Sequence, residues 1–260
     1  MGVLYFERKD LRLYCGDCFD IMAELFSAGE TFDMIFCDMP YGSTRCKWDV
    51  VLPLHKVWKF AKTLLNKNGV VLFFGTEPFA SMMRTSNLEM YRYDWIWDKG
   101  RGTNFANARK MPMQSTERVC VFWRNGERPE YHPQWWYSKP YRVGARKRKN
   151  AGSDRMGENS SAAVICPETI SEDGRRYPKD ILRFNRDPKT IHPTQKPVAL
   201  LKYLIKTYQT ADKKFRILDF CAGSCSVGVA ALQTGAECVL IEKNEKYCAS
   251  AAKRLQGVVL

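Results

Sequence analysis

The chain has 260 residues, 45% of them hydrophobic, which is enough to bury the core of one large domain or of one domain with a sizeable insertion. Its formal charge of +13 favours a polyanionic partner, nucleic acid first and an anionic membrane surface second. No apolar run approaches the roughly 18 residues that cross a membrane, and the start lacks a secretory signal pattern, so a soluble, cytoplasmic protein is expected.

Strand and helix signals alternate in the first third of the chain. Such alternation predicts a mostly parallel sheet whose two faces are covered by helices. The predicted elements, in chain order, are strand Leu11–Cys15, helix Phe19–Phe26, strand Met34–Cys37, helix Leu54–Leu65 and strand Val70–Phe74.

The tetrapeptide Asp38-Met39-Pro40-Tyr41 follows a buried strand directly. The carboxyl end of a strand in an open α/β sheet is where such sheets bind ligands. Pro40 restricts Met39 to an extended conformation, so the Met39 carbonyl and the Asp38 carboxylate can converge as two acceptors on one amine group. Tyr41 adds a flat ring that can stack on a base. These residues therefore suit a planar substrate with an exocyclic amine, such as a nucleobase.

The middle of the chain is less regular. Two strands, Asp94–Trp97 and Val119–Trp123, flank a basic loop over Lys99–Met113. From about residue 125 the alternation fades into a segment rich in Arg, Lys, Gly, Ser and Pro. A segment of this length is usually a functional insertion or a mobile segment. Its aromatic cluster, Trp135–Tyr137, favours local packing over base stacking.

Regular structure resumes near the C-terminus. The predicted elements are helix Val198–Tyr208, strand Arg216–Phe220, helix Val227–Gln233, strand Cys238–Ile241 and helix Asn244–Leu255. A turn of small residues follows Asp219, and Glu242 ends the next strand, where an acid can accept from both hydroxyls of a ribose. Neither a Walker-type lysine nor a Gly-x-Gly-x-x-Gly fingerprint is present, so a nucleoside cofactor without phosphates, of which S-adenosylmethionine (SAM) is the common one, is favoured.

A metal centre is not expected. Cys15 and Cys18 have metal-ligand spacing, but no second Cys pair or nearby His completes a tetrahedral set. The ten cysteines lie largely in apolar runs, and reduced thiols fit the cytoplasm.

The order of these motifs resembles the β class of DNA amino-methyltransferases. Asp38–Tyr41, a basic segment, His192–Pro197, Leu218–Ser224 and Ile241–Asn244 with Tyr247 occur in the sequence that this family uses. The resemblance implies a doubly wound, mostly parallel seven-stranded sheet of the SAM-dependent methyltransferase type, circularly permuted. It also implies a catalytic half over residues 1–125, a target-recognition insertion over 126–188 and a cofactor-binding half over 189–260.

The resemblance also implies roles for individual residues. The catalytic residues would be Asp38, Met39, Pro40 and Tyr41. The cofactor residues would be Asp17 at the adenine, Phe220 against that ring, Thr194 and Lys196 at the methionine end, Asp219, Cys221, Gly223 and Ser224 along the methionine part, Glu242 at the ribose, and Asn244. The DNA-binding residues would be Lys99, Arg101, Arg109, Lys110, Arg142, Arg146, Lys147, Arg148 and Lys149.

Two departures from the family pattern bear on the site. Met39 replaces a proline, which a role of its backbone carbonyl tolerates. Cys221 and Cys225 replace the outer residues of a Phe-x-Gly-x-Gly turn, and a side chain at Cys225, where glycine normally lies against the cofactor, predicts weakened cofactor affinity.

The function implied is methyl transfer from SAM to the N6 amine of an adenine flipped out of double-stranded DNA, as in restriction-modification systems. Asp at position 38 is typical of the adenine enzymes, with cytosine-N4 methylation as the alternative. RNA or protein-glutamine methyltransferases usually place the cofactor turn before the catalytic tetrapeptide, and the order here is reversed. A further alternative is a non-catalytic DNA-binding module that has lost its cofactor site. Homodimers are frequent in the family.

Overall fold

The computed structural model describes residues 2–43, 46, 49–148, 164–188, 190–192, 194–211 and 214–258. The chain divides into two compact units, Met1–His132 with Asp180–Leu260, and Pro133–Lys179. The second unit lies inside the predicted insertion 126–188. No helix in the described ranges is both long and apolar enough to span a bilayer.

Fifteen strands and six α-helices are formed by the described residues. The strands are β1 Val3–Arg8, β2 Leu11–Cys15, β3 Phe32–Cys37, β4 Leu65–Gly75, β5 Tyr91–Thr103, β6 Gln114–Phe122, β7 Trp136–Tyr137, β8 Tyr141–Val143, β9 Arg146–Arg148, β10 Val164–Cys166, β11 Thr169–Ser171, β12 Arg175–Arg176, β13 Ile181–Arg183, β14 Arg216–Asp219 and β15 Glu237–Glu242. The helices are α1 Cys18–Ser27, α2 Leu54–Leu64, α3 Phe79–Thr85, α4 Val198–Tyr208, α5 Ser226–Thr234 and α6 Glu245–Gln256.

One sheet of nine strands organises the larger unit, in the spatial order β1-β2-β15-β14-β3-β4-β6-β5-β13. The pairs β1/β2, β4/β6 and β5/β6 are antiparallel, and the other neighbours are parallel. All seven predicted strands are present. The sheet has nine because β1 and β13, which the sequence analysis missed, extend its two edges. β1 is mostly exposed and β13 has only three residues, so neither has the apolar run of an inner strand.

Helices cover both faces of this sheet. Side chains that alternate along the strands divide into two buried clusters, as the period of two in a strand requires. One cluster joins the sheet to α1, α2 and α3, through residues such as Ile21, Trp58 and Phe79. The other joins it to α4, α5 and α6, through residues such as Leu204, Ala230 and Leu255. The molecule is therefore a three-layer α/β structure in this unit.

The topology brings four acidic residues to one edge of the sheet. β2, β15, β14 and β3 are consecutive parallel neighbours, so their carboxyl ends lie side by side. Asp219 and Glu242 end β14 and β15, Asp38 follows β3, and Asp17 lies just beyond β2 and caps α1. Residues more than 200 positions apart in sequence thus become neighbours at one site.

The smaller unit, Pro133–Lys179, is built from three nested antiparallel pairs: β7 with β12, β8 with β11, and β9 with β10. Four of its five aromatic side chains are exposed, from 36% at Trp135 to 72% at Tyr177, and Tyr141 is partly buried. Trp135 contacts Tyr177 with ring centroids 4.3 Å apart, and the guanidinium of Arg176 lies 3.8 Å from the centroid of the Tyr141 ring. Aromatic and arginine side chains thus stabilise this short-stranded unit where it has few apolar core residues.

Candidate active site

A cavity of about 1020 Å³ opens at the carboxyl ends of β2, β3, β14 and β15. Every residue predicted for catalysis or cofactor binding lines it: Asp17, Asp38, Met39, Pro40, Tyr41, Thr194, Lys196, Asp219, Phe220, Cys221, Gly223, Ser224, Glu242 and Asn244. Two motifs about 180 residues apart in the sequence, one at Asp38 and one at Asp219, therefore contribute to the same site.

At one end of the cavity, the Asp38 carboxylate is held by two side chains. The Tyr41 hydroxyl donates to its Oδ1 at 2.5 Å, and Lys196 Nζ lies 2.7 Å from its Oδ2. The Tyr41 ring also stacks on Phe79, with centroids 5.1 Å apart. Both carboxylate oxygens are thus fixed in position, while each keeps a lone pair for a further donor.

A row of alternating charges continues from Asp38 into the protein. Lys196 Nζ is also 3.1 Å from Glu117 Oε2, and Lys99 Nζ is 3.4 Å from Glu117 Oε1. Glu117 and both lysines are buried, with 5 to 8% of each residue exposed. Because an isolated buried charge is strongly unfavourable, the four groups stabilise one another.

The pKa values in this row follow from burial and from these partners. Burial raises the pKa of Asp38, even though Lys196 and Tyr41 favour its ionised form. Burial acts against the ionised Lys196, but the carboxylates of Asp38 and Glu117 outweigh it and raise the pKa of the ammonium. The pKa of Glu117 is likewise lowered against burial by Lys196 and Lys99. Lys196 is therefore a permanent cation beside Asp38.

The two middle residues of the tetrapeptide differ in environment. The Met39 side chain is 2% exposed and packs in the cluster beneath α1, α2 and α3. Pro40 is partly buried at the cavity wall. Since the Met39 side chain belongs to the core, its backbone is the part of this residue that can act on a ligand.

At the other end of the cavity, backbone N–H groups hold the carboxylates. Gly223 N donates to Glu242 Oε2 at 2.7 Å, and Asn244 N donates to Glu242 Oε1 at 2.8 Å. Gly223 has φ of +50°, and a Cβ at this position would meet nothing within 4 Å, so the space beside its backbone is open. Glu242 keeps free lone pairs toward that space, as recognition of vicinal hydroxyls requires.

Two more acids frame this end. Asp17 Oδ1 accepts from Phe19 N at 3.0 Å, which caps α1, and its Oδ2 lies 3.2 Å from Lys243 Nζ. Asp219 Oδ1 accepts from Cys221 N at 3.1 Å. Burial raises the pKa of Asp219 to about 8, against the effect of that hydrogen bond. Asp219 is therefore a carboxyl group that titrates near neutral pH.

The two cysteines of the turn lie in different places. Cys221 lines the cavity, whereas Cys225 is fully buried in the cluster beneath α4, α5 and α6 and does not belong to the described cavity wall. Cys225 adopts φ of 55° at the start of α5, a conformation that glycine adopts more readily. Its side chain does not occupy ligand space, so the physical basis for the predicted loss of affinity at Cys225 is absent.

The segment that precedes α4 is fixed by local hydrogen bonds. Asp187 accepts from Gln195 Nε2 at 3.1 Å and from Val198 N at 3.3 Å, which holds both sides of Lys196. The Thr194 hydroxyl lies 3.0 Å from His192 Nδ1, and the His192 ring meets Tyr247 edge-on. Burial, then the charge of Lys196, lowers the pKa of His192.

Lys196 was predicted to flank the methionine end of a cofactor. In the structure its ammonium pairs with Asp38 and Glu117, whose carboxylates compensate its charge, and its place at the methionine end stays a prediction. The sequence analysis also missed Glu117, His192 and Tyr247 as site residues, although all three line the cavity. No local pattern marks Glu117, because its burial depends on the pairing of β5 with β6.

The residues predicted to bind DNA fall on both units. Arg101, Arg109 and Lys110 are exposed in the larger unit, and Arg142 and Arg146 are exposed in the smaller one. Lys147 and Arg148 belong to β9, and Lys149 lies outside the described residues. The prediction that Lys99 binds DNA is wrong. Lys99 is only 5% exposed and pairs with Glu117, so it is part of the cavity wall and does not belong to a surface for phosphates.

Comparison with known proteins identifies relatives of this arrangement. A family model described as DNA methylase matches residues 32–253. The type II methyltransferase M.HindIII of Haemophilus influenzae is 27% identical over 165 residues, which are 56% of this chain and 52% of that protein. The chain spans about half the length of the sequence relatives it matches.

Solved structures share the fold. The M1.HpyAVI–SAM complex has a TM-score of 0.62 at 21% identity and covers 94% of this chain and 100% of that chain. The PvuII DNA methyltransferase, named as cytosine-N4-specific, has a TM-score of 0.62 at 14% identity and covers 96% of this chain and 88% of that chain. These similarities establish an α/β methyltransferase-like fold with a large mixed sheet. Because the family match extends over most of its length, the chain belongs to the DNA methylase family of the N6/N4 type.

Proposed function

We propose that this protein transfers the methyl group of SAM to the exocyclic amine of a base in double-stranded DNA, and that the base is adenine and the acceptor atom N6. One observation carries the proposal: a single cavity has an Asp38 end suited to an amine and a Glu242 end suited to a ribose. Family membership supports the same chemistry.

The Glu242 end fits a nucleoside cofactor. Glu242 is fixed by two backbone N–H groups, and open space lies beside Gly223. We assign the ribose to Glu242, the adenine to Asp17 and Phe220, and the methionine part to Asp219, Cys221 and Ser224. Bound SAM supplies a methyl group that its sulfonium already activates. The M1.HpyAVI structure, which shares this fold, is named as a SAM complex.

The Asp38 end fits the acceptor amine. Asp38 accepts one amine hydrogen through a free lone pair, and the Met39 carbonyl accepts the other. Together they orient the nitrogen lone pair, which is otherwise delocalised into the base, toward the methyl group. The new N–C bond forms as the C–S bond breaks, and the amine proton leaves to Asp38 or to water. Lys196 favours the ionised form of Asp38 and holds it in place.

The base reaches this end only if it leaves the duplex, because the amine is otherwise inside the helix. Tyr41, whose hydroxyl is tied to Asp38, provides a ring for the extruded base. We place phosphate contacts on the exposed Arg101, Arg109 and Lys110, and on Arg142 and Arg146 of the smaller unit.

Adenine is favoured over cytosine by Asp38, since an acid at this position is typical of adenine-N6 enzymes. Cytosine N4 is the second candidate, and the PvuII enzyme with the same fold is named as specific for it. A non-catalytic DNA-binding module is disfavoured because Cys225 is buried outside the cavity. The catalytic strand β3 precedes β14 in sequence but lies beside it in the sheet, which supports a circular permutation.

Methylation of a DNA library of varied sequence with labelled SAM tests the proposal. Nucleoside analysis should yield labelled N6-methyladenine, and single-molecule sequencing should locate it at one sequence. Labelled N4-methylcytosine would replace the first candidate with the second. No label, with calorimetric silence on titration with SAM up to the millimolar range, would support the non-catalytic module instead.

A further inference from the structure

The connection between β5 and β6, residues 104–113, projects an apolar side chain into solvent. Phe105 is 82% exposed, more than the other exposed large hydrophobic side chains of the described residues. Arg101, Arg109 and Lys110 around it are exposed too. Phe105 thus presents an exposed apolar ring in a stretch of exposed cations.

The connection is ordered, so Phe105 is held in this position. Asn104 adopts φ of 65° and reverses the chain, and Asn107 Nδ2 donates to Asn104 Oδ1 at 2.8 Å. Phe105 begins a single 3₁₀ turn in which Ala108 N donates to its carbonyl at 3.0 Å. Thr103 Oγ1 donates to Gln114 O at 2.8 Å and closes the base of the connection.

The connection rises from the wall of the cavity. Thr103 and Gln114, which pair across its base, both line the cavity. Phe105 is two residues from Thr103, so their Cα atoms are at most about 7.6 Å apart. Lys99 Nζ donates to Thr103 Oγ1 at 3.4 Å, so Phe105 lies close to the part of the cavity wall that carries the row of charges leading to Asp38.

The charge of this surface selects a polyanion. Residues 100–116 contain three exposed cations, Arg101, Arg109 and Lys110, and no acid. An apolar side chain among cations is complementary to duplex DNA, where phosphates surround a stack of apolar base faces. Proteins that distort DNA insert such side chains between base steps.

We propose that Phe105 is a positioning residue that enters the base stack of the DNA and occupies the space left by the extruded base. This inference rests on the proposed function. Phe105 would prevent the target base from returning to the stack while Asp38 holds its amine, so its contribution depends on whether the base must be extracted from a pair.

That dependence provides a selective test. Two duplexes carry the methylation site found with the DNA library; in one the target base is paired, and in the other it faces an abasic position. For Phe105→Ala, the single-turnover rate should fall about tenfold on the paired duplex and by less than about threefold on the abasic one. Phe105→Leu, which keeps an apolar side chain, should retain most of the rate on both.

A binding experiment gives a second readout. With 2-aminopurine at the target position, the wild type should increase the fluorescence on binding, whereas Phe105→Ala should increase it less at equal saturation. Phe26→Ala is the matched control, since Phe26 is 54% exposed on α1 and does not line the cavity. It should match the wild type in every assay.

Equal loss on both duplexes, or no loss on either, would overturn the inference. So would a change of oligomeric state in Phe105→Ala by light scattering, because Phe105 would then contact a second copy of the chain. A wild type that methylates no DNA overturns the proposed function and this inference together, whereas an active wild type with an equally active Phe105→Ala overturns the inference alone.

Discussion

The two ends of the cavity hold their carboxylates in different ways. At the Asp38 end, the partners are side chains: Tyr41, three residues along the chain, and Lys196, 158 residues away, which is shared with Glu117. At the Glu242 end, the partners are mostly backbone N–H groups two residues further along the chain: Phe19 for Asp17, Cys221 for Asp219 and Asn244 for Glu242.

The difference separates two tasks. Backbone donors keep their position and charge at every pH, which suits a site that binds a cofactor in one pose. Side-chain ions can titrate and respond to a ligand, which suits the group that must accept and release hydrogens. Substitutions at the Asp38 end should therefore lower the rate of methyl transfer, and substitutions at the Glu242 end should lower the affinity for SAM.

The largest effect is expected from Asp38→Ala. Because the variant loses the acceptor that orients the amine, methyl transfer should fall by at least about 10³-fold, while affinity for SAM changes little. Single-turnover methylation and calorimetry measure the two quantities. Glu24→Ala, an exposed acid on α1, should leave both unchanged. An active Asp38→Ala would end the assignment of Asp38 and the contrast between the two ends.

Lys196→Gln should be next in size. Without the ammonium, the pKa of Asp38 rises further, so the rate should fall about 10²-fold and its rising limb should move to higher pH. Stability should drop by about 3 kcal/mol because Asp38 loses its cation and buried Glu117 keeps only Lys99. Lys99→Gln is the comparison, since Lys99 is bound to Glu117 at 3.4 Å; it should leave the pH profile nearly unchanged.

The direction of the two pKa shifts predicts the pH range in which Lys196 and Glu117 stabilise the protein. The pKa of Lys196 is raised above its ordinary 10.5, so its stabilisation is present below that pH and is lost above it. The pKa of Glu117 is lowered below its ordinary 4.5, so its stabilisation is present above that pH and is lost in acid. Denaturant unfolding should thus separate Lys196→Gln from the wild type at pH 7 more than at pH 3.

Glu242→Gln should act on the other end. The amide loses charge and one acceptor for the ribose hydroxyls, so the Kd for SAM should rise about tenfold by calorimetry. At saturating SAM, single-turnover methylation should stay within about threefold of the wild type. Glu245→Gln, at an exposed position on α6, is the control. A loss of rate without a loss of affinity would contradict the division of tasks.

Asp219→Asn should change how stability depends on pH. Burial raises the pKa of Asp219 to about 8 from an ordinary 3.8, so the folded protein binds a proton that the unfolded chain releases between these values. The free energy of unfolding of the cofactor-free wild type should therefore fall as pH rises from 5 to 8. In the variant, this fall should be smaller by on the order of 2 kcal/mol. Parallel curves for the two proteins would contradict the raised pKa.

Cys225→Gly should have the smallest effect. Glycine relieves the left-handed φ of 55° but removes a buried side chain, so stability should change by less than about 1 kcal/mol and affinity for SAM should not change. Gly223→Ala is the informative comparison, because φ of +50° strains any side chain and the added methyl group would enter the open space. Tighter SAM binding by Cys225→Gly would show that Cys225 does restrict the cofactor.

The same contrast explains what the sequence could predict. At the Glu242 end, three of the contacts join residues two apart, which local strand and turn patterns encode, and the sequence placed Asp17, Asp219 and Glu242 among the predicted cofactor residues. The Asp38–Lys196 pair joins residues 158 positions apart, so no local pattern reports it. Lys99 read as a surface cation and Glu117 was missed for the same reason: each becomes buried only when β5 pairs with β6.

The edges of the sheet were missed for another reason. The inner strands, such as β3 and β4, are buried on both faces and therefore form continuous apolar runs. β1 is exposed on both sides and β13 is three residues long within a basic segment, so composition does not mark them. Both strands form by pairing with a neighbouring strand, β1 with β2 and β13 with β5, and this pairing cannot be read from the sequence alone.

Two backbone hydrogen bonds of the larger unit lie beside the ends of the segment 133–179. His132 N donates to Thr207 O at 2.7 Å just before residue 133, and Ile96 N donates to Asp180 O at 2.8 Å just after residue 179. None of the nine strands lies between those points, and no described residue of 133–179 lines the cavity. If this 47-residue unit recognises the target sequence, as proposed, its exchange for another should change the DNA site and leave the described cavity lining as it is.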